Sequence, residues 1–194
     1  MIVLVVGAGR SGTTTTAKIL AERLGIDMGR RFAMSKDDKF HCYEEDGMYG
    51  LECGFLRGNL AINEYRHALY ANICYRNDIA KLSGRPWGFK SPTLCYTLRL
   101  WFAYLPEFPY IIWAYRDPEK VAKSYCKVYG WDIHTARKEY NQRMMNLKAH
   151  LIGIPCLRVD FSEQVDEDAL EHDLREFLSN KDLPEAMREV ANVS

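Results

Sequence analysis

The run Gly7-Ala8-Gly9-Arg10-Ser11-Gly12-Thr13-Thr14 carries the densest chemistry in this 194-residue sequence. The apolar stretch Ile2 to Val6 precedes it, and a segment from about Thr13 to Leu24 follows with Ala17, Ile19, Leu20 and Leu24 at helical spacing. The run is therefore a turn between a buried strand and a helix. The first N–H groups of such a helix have no partner within it, and the helix dipole reinforces them, so Gly9, Arg10, Ser11, Gly12, Thr13 and Thr14 form an anion cradle. Glycines alone would only ease the turn. Arg10, Ser11 and the hydroxyls of Thr13, Thr14 and Thr15 are not needed for turning, but an oxyanion can use them.

Gly7 and Gly12 have the separation of the glycines in the phosphate loop G-x-x-x-x-G-K-[ST], and Thr14 stands at its magnesium-binding hydroxyl. Thr13, however, occupies the lysine position, so positive charge must come from elsewhere. Arg116 follows the apolar run Tyr110 to Tyr115, at the carboxyl end of an expected parallel strand, where α/β proteins bind ligands. Its rigid fork of donors suits a phosphate, and Ser124 lies eight residues further on. Taken alone, Arg116 would make a surface ion pair with Asp117 or Glu119. Lys90 ends the short strand "WGFK", where an ammonium can offset charge developing on transferring oxygens. The loop "FHCYEEDG" supplies groups for proton removal, since a partly desolvated carboxylate beside like charges has a raised pKa. Its candidates for a general base are Glu44, Glu45, Asp46 and His41.

Taken together, these stretches resemble the sulfotransferases that use 3'-phosphoadenosine-5'-phosphosulfate (PAPS). "GAGRSGTT" is similar to the 5'-phosphosulfate loop of that family, whose basic residue precedes Ser-Gly-Thr-Thr. "RDPEKVAKS" supplies Arg116 and Ser124 at the separation of its 3'-phosphate site. "WGFKSP" resembles the W-G-x-K-x-P stretch of carbohydrate and tyrosyl-protein sulfotransferases and their bacterial relatives. "YNQRMMNLKAHLIGIPCLRVDF" looks like the helix and last strand of the shorter members. The resemblance spans nearly the whole chain. It implies a P-loop NTPase-like fold and sulfuryl transfer from PAPS to an acceptor hydroxyl of a carbohydrate or other small molecule, leaving adenosine 3',5'-bisphosphate. It assigns the 5'-phosphosulfate to the loop, the 3'-phosphate to Arg116 and Ser124, and transition-state charge to Arg10 and Lys90. It favours Glu44 as base, by likeness to a G-x-Y-E region. Two family features are missing from the sequence: the C-terminal glycine-rich R-K-G-x-x-G-x-W-K stretch of the cytosolic enzymes and the membrane anchor of the Golgi ones. No metal is expected, because a terminal sulfuryl group carries less negative charge than a terminal phosphoryl group, which generally relies on magnesium.

Strand and helix signals alternate through the chain, as in an α/β domain with a mostly parallel central sheet flanked by helices. Ile26 to about Phe55 reads as a long loop, and a helix is expected over Asn59 to Leu82, ending at Ser83-Gly84-Arg85-Pro86. Trp87 to Lys90 and Tyr110 to Tyr115 read as strands. Ser91-Pro92 should open a helix reaching about Tyr104, and Asp117-Pro118 another that buries Val121, Ala122 and Tyr125. Ile133 to His150 is a further helix and "CLRVDF" a last strand. A final helix covers Glu167 to Leu178 with Asp166 as cap, and the polar residues after Asn180 are expected to fray.

Composition sets the outer limits. Lys plus Arg and Asp plus Glu both number 26, so nothing draws the whole chain to nucleic acid or an anionic membrane, and any polyanion must be met locally. The six cysteines show no metal-ligand spacing and fit reduced, mostly buried thiols of a cytoplasmic protein. The opening apolar run is too short for a membrane span, and the length suits a single domain over residues 1–194. Two other readings share the loop. A small-molecule kinase using ATP would need the missing lysine and an acidic metal ligand after "YIIWAY", where Arg116 stands instead. Lys90 and a carboxylate-rich loop beside the phosphate site weigh against a nucleotide-binding module without catalysis.

Overall fold

The computed structural model describes residues 1–29, 31–33, 41–43, 46–180 and 182. In chain order these form β1 (Ile2–Val6), α1 (Thr13–Glu22), β2 (Arg31–Ala33), β3 (His41–Tyr43), α2 (Asp46–Leu56), α3 (Ile62–Ser83) and β4 (Trp87–Lys90). There follow α4 (Leu94–Phe102), β5 (Tyr110–Tyr115), α5 (Pro118–Tyr129), α6 (Ile133–His150), β6 (Leu157–Asp160) and α7 (Glu167–Ser179).

The main sheet has the order β4-β1-β5-β6, with every pairing parallel. Its topology explains the unbroken apolar run of β1. Ile2, Leu4 and Val6 face a cluster with Tyr65, Leu69, Leu98, Trp101, Val121 and Tyr140, whereas Val3 and Val5 face one with Ile19, Leu20, Leu170 and Leu174. Helices thus cover both faces, and neither side of the strand is left for polar residues. Because the strands run in one direction, the residues after β1, β4, β5 and β6 gather at one edge. The sheet thereby brings the Gly7 turn, Lys90, Arg116 and Phe161 to the same end.

Helix starts follow the expected side-chain chemistry. Asp117 accepts the N–H groups of Glu119 and Lys120, Asp132 those of His134 and Thr135, and Asp166 those of Asp168 and Ala169. Val121, Ala122 and Tyr125 are buried as the pattern of α5 requires. The helix after β4 begins later than its Ser91-Pro92 signal. Ser91 Oγ lies 2.5 Å from Thr93 Oγ1 and accepts the Thr93 N–H at 3.2 Å, which makes a turn of residues 91–93 and delays α4 to Leu94.

The largest correction falls between Ile26 and Phe55, which is not one long loop. The segment contains the antiparallel pair β2-β3 and the helix α2. Three glycines and a run of charge hide α2 in the sequence, and burial of Met48, Leu51 and Glu52 along one face supplies what propensity does not. Glu52 is fully buried. Oε1 accepts the Tyr65 hydroxyl at 2.5 Å and Trp101 Nε1 at 2.7 Å, and Oε2 accepts the Thr97 hydroxyl at 2.6 Å. This carboxyl ties α2 to α3 and α4 at once.

The thiols are less buried than expected. Of the described cysteines only Cys95 is fully enclosed, Cys53, Cys74, Cys126 and Cys156 are half-buried, and all of these are free. Burial pushes the Cys95 thiol up to about 12, so it stays protonated at neutral pH. Among the described residues no helix is long and apolar enough to cross a membrane. The expected fraying after Asn180 falls on residues 181 and 183–194, outside those described.

Candidate active site

The turn after β1 is held by contacts that only small or polar residues permit. A Cβ on Gly7 would come within 2.3 Å of the Ala114 carbonyl oxygen of β5, and Gly7 has φ +150°. The Ser11 hydroxyl lies 2.6 Å from the Ala8 carbonyl oxygen and 2.9 Å from that of Ala114, so its single proton ties the loop to itself or to β5. The Ser11 N–H also donates to Ala8, which gives this residue a structural task within the cradle. Gly12 caps α1 with φ +96°, and the first bond into the helix runs from the Thr16 N–H to the Gly12 carbonyl. The N–H groups of Thr13, Thr14 and Thr15 therefore have no acceptor within α1.

These groups open on a cavity of about 300 Å³ lined by Arg10, Gly12, Thr13, Thr14, Thr15, Arg116 and Phe161. The described lining residues include two guanidinium groups and no carboxylate. Arg116 Nη1 donates to the Arg10 carbonyl at 3.2 Å, and Arg116 Nε is buried without a hydrogen-bond partner among the described residues. A buried, unpaired donor on a charged fork is costly unless something accepts from it. A larger concavity of about 600 Å³, bordered by Met1, Pro86, Trp87 and Glu107, lies at the amino ends of the strands. It lacks a helix N-terminus and any turn from a strand's carboxyl end, so the smaller cavity is the candidate site despite its size.

Arg10, Gly12, Thr13, Thr14, Thr15 and Arg116 thus line one cavity. Ser124 reaches the group through Arg10, whose Nε donates to Ser124 Oγ at 3.0 Å. Gly9 is not among the lining residues, and a Cβ on it would sit 3.4 Å from the Tyr125 hydroxyl oxygen. Lys90 ends β4 in register with Val5 of β1 and is 1 % exposed, at the same end of the sheet as the loop but not among the residues that line the cavity. Glu44 and Glu45 lie outside the described residues, as do the side chains of His41 and Asp46, although His41 is in β3 and Asp46 begins α2.

Phe161 is the wall that motif reasoning overlooks. It follows the last strand, and its N–H donates to the Tyr115 carbonyl at 2.7 Å. The next residue, Ser162, accepts the Asp117 N–H at 2.8 Å and, through its carbonyl, a bond from Lys120 Nζ. The Ser162 hydroxyl, together with its N–H, in turn holds the Asp160 carboxyl below the usual carboxylate range. These bonds fix the aromatic ring against Gly12. The signal was present in the topology, since any residue directly after a parallel strand falls at this edge. Gly12→Ala should therefore act twice. A Cβ would lie 2.3 Å from the Phe161 ring, and alanine is strained at this φ, so a loss of about 1 to 3 kcal/mol in stability is expected, measured by urea unfolding. An alanine variant as stable as the wild type would mean that the ring is not held against the loop.

A parallel sheet with a glycine-framed turn leading into a helix N-terminus defines the P-loop-like class of α/β proteins. Within that class the chain belongs to the sulfotransferase family, whose family model matches residues 3–172. No curated protein matches the chain. Similar solved structures include the sulfotransferase domain of the Synechococcus PCC 7002 olefin synthase, 17% identical with a TM-score of 0.53, the match covering 93% of this chain and 71% of that one. Shikimate kinase from Bacteroides thetaiotaomicron is 13% identical with a TM-score of 0.50, covering 92% of this chain and 98% of the kinase. An uncharacterized protein from Eubacterium ventriosum is 13% identical with a TM-score of 0.51, covering 93% and 99% of the two chains. At such identities these structures speak for the fold.

Proposed function

We propose that this protein transfers a sulfuryl group from PAPS to an acceptor hydroxyl on a carbohydrate or other small molecule, leaving adenosine 3',5'-bisphosphate. The observation that carries the reading is the convergence of the α1 N-terminus, Arg10 and Arg116 on one cavity, with a buried Arg116 Nε that lacks a partner among the described residues. That donor set fits a ligand with separate anionic groups. Bound PAPS would supply the activated sulfuryl group.

The chain's own residues have distinct tasks in this reading. The N–H groups and hydroxyls of Thr13, Thr14 and Thr15 hold the 5'-phosphosulfate, and Arg116 with Ser124 holds the 3'-phosphate. Arg10 and Lys90 offset charge as it develops, in a site where burial strengthens each such interaction. Phe161 adds an apolar wall for the nucleoside. The acceptor proton goes to a carboxylate of the acidic segment, with Glu44 as the proposed base. No metal takes part, because fixed cations and N–H donors suffice for the lower charge of a sulfuryl group. A cytoplasmic location belongs to the same proposal, supported by the free thiols.

A thermal-shift comparison in EDTA tests the core of this reading against the kinase alternative. Adenosine 3',5'-bisphosphate at about 100 times its dissociation constant should add roughly 2.7 kcal/mol, raising the midpoint by about 5 to 10 °C. ATP, with magnesium in a parallel sample, should give less. No shift at saturating bisphosphate, or a larger one with ATP and magnesium, would overturn the cofactor choice. Acceptor-dependent release of bisphosphate then separates an enzyme from an inert binding module.

A further inference from the structure

In the proposed site the basic residues divide between the two ends of the cofactor, with Arg10 at the transferring end and Arg116 and Ser124 at the 3'-phosphate. The folded chain does not keep these groups apart. Arg10 Nε donates to Ser124 Oγ at 3.0 Å, joining positions 114 residues apart, and Arg116 Nη1 donates to the Arg10 carbonyl at 3.2 Å. Arg10 also has φ +66°, the one described residue other than glycine in the left-handed region. Such a conformation persists where the surroundings over-determine it. Here one tie holds the carbonyl and the other holds the side chain, and both come from residues 116 and 124, on the β5–α5 unit.

We propose that Arg10 is a third member of the 3'-phosphate clamp, so that the loop holding the 5'-phosphosulfate itself discriminates nucleotides carrying a 3'-phosphate from those without one. The inference rests on the cofactor reading above. The Ser124 hydroxyl and the Arg10 guanidinium already touch, so an anion that engages one meets the other. A guanidinium presents five donors in a fixed plane and accepts no bond, so a phosphate between Arg10 and Arg116 meets donors from two directions. Adenosine 5'-phosphates that lack the 3' group cannot bridge Arg10 and Arg116 in this way. Arg116 also grips the Arg10 carbonyl, which joins the clamp to the backbone of the loop. Arg10 is thus a specificity-determining residue whose contribution depends on the 3'-phosphate.

Two ligands that differ only in that group provide the test: adenosine 3',5'-bisphosphate and adenosine 5'-monophosphate, titrated calorimetrically into wild type, Arg10→Gly and Arg10→Lys. Glycine adopts φ +66° without strain, so Arg10→Gly removes the side chain and leaves the backbone at ease. The wild type should prefer the bisphosphate. Arg10→Gly should weaken binding of both ligands, since the 5'-phosphate also meets this loop, but bisphosphate binding by roughly tenfold more than monophosphate binding, so the ratio collapses. Arg10→Lys should fall between, since it keeps the charge and loses the fork. Retained monophosphate binding reports that each variant is folded at the site. Equal losses on both ligands would overturn the inference and confine Arg10 to the 5' end. A wild-type protein with no preference for the bisphosphate would overturn the cofactor reading, and the inference with it.

Discussion

Replacement of Glu52 by alanine is expected to lower the unfolding free energy by about 3 to 5 kcal/mol, the middle of the range for two buried donors left unsatisfied. For a chain of this length that corresponds to a drop of roughly 6 to 20 °C in thermal midpoint. The reason lies in what the alanine leaves behind. The Tyr65 hydroxyl and Trp101 Nε1, which donate at 2.5 and 2.7 Å, would lose their acceptor inside the core. The Thr97 hydroxyl keeps only a 3.4 Å contact with the Thr93 carbonyl. Each stranded donor costs about 1 to 3 kcal/mol. Burial, followed by the Glu52 carboxylate, already pushes the Tyr65 phenol far above its ordinary value, so ionisation offers no escape near neutral pH. Glu52→Gln retains the shape and one acceptor oxygen and should lose less than half as much. An alanine variant melting within about 2 °C of wild type, the range of surface substitutions, would show that the cluster is not a stability centre.

The effect extends toward the site. Trp101 stacks on Phe89 with ring centroids 4.7 Å apart, and Phe89 directly precedes Lys90. Glu52 therefore links α2, whose first residue Asp46 carries one of the candidate carboxyl groups, through Trp101 and Phe89 to the strand that carries the candidate lysine.

How much of this was legible in the sequence depends on where each signal resides. The phosphate turn, the strands beginning at Trp87 and Tyr110 and the Asp-capped helices are local features, written in glycine spacing, apolar runs and cap residues, and they are found where those signals lie. The helix α2 is different. Its Gly47, Gly50 and Gly54 argue against a helix, and Glu52 on its inner face breaks the apolar pattern, because the partners that satisfy this carboxyl lie 13, 45 and 49 residues further along the chain. Pairings across that distance leave no periodicity in the segment itself. Phe161 escaped notice for a related reason, since it becomes a wall of the cavity only when β6 lies beside β5. The link from Arg10 to Ser124 could not be read from either motif, because each motif is complete without the other.

For Arg116→Ala, the bisphosphate affinity is expected to fall by roughly 10- to 150-fold, the range for hydrogen bonds to a charged group. The ordinary fate of an arginine here would be an ion pair with Asp117 or Glu119, and the fold commits both carboxyl groups elsewhere. Asp117 Oδ1 accepts the N–H groups of Glu119 and Lys120 at the start of α5. Glu119 accepts two bonds from Arg137, at 2.8 and 2.7 Å, and these hold its carboxyl below the usual carboxylate range. Arg116 is left facing the cavity, with one donor on the Arg10 carbonyl and a buried Nε lacking a partner among the described residues. At a bisphosphate concentration of about 100 dissociation constants for wild type, a hundredfold weaker variant is only half-saturated, and ligand stabilisation drops from about 2.7 to about 0.4 kcal/mol. The midpoint shift should accordingly shrink to about 1 to 2 °C. Arg116→Lys should not restore it, because an ammonium carries the charge without the planar fork. A full shift in both variants would mean that the 3'-phosphate is bound elsewhere, and a full shift in the lysine variant alone would mean that charge suffices at this position.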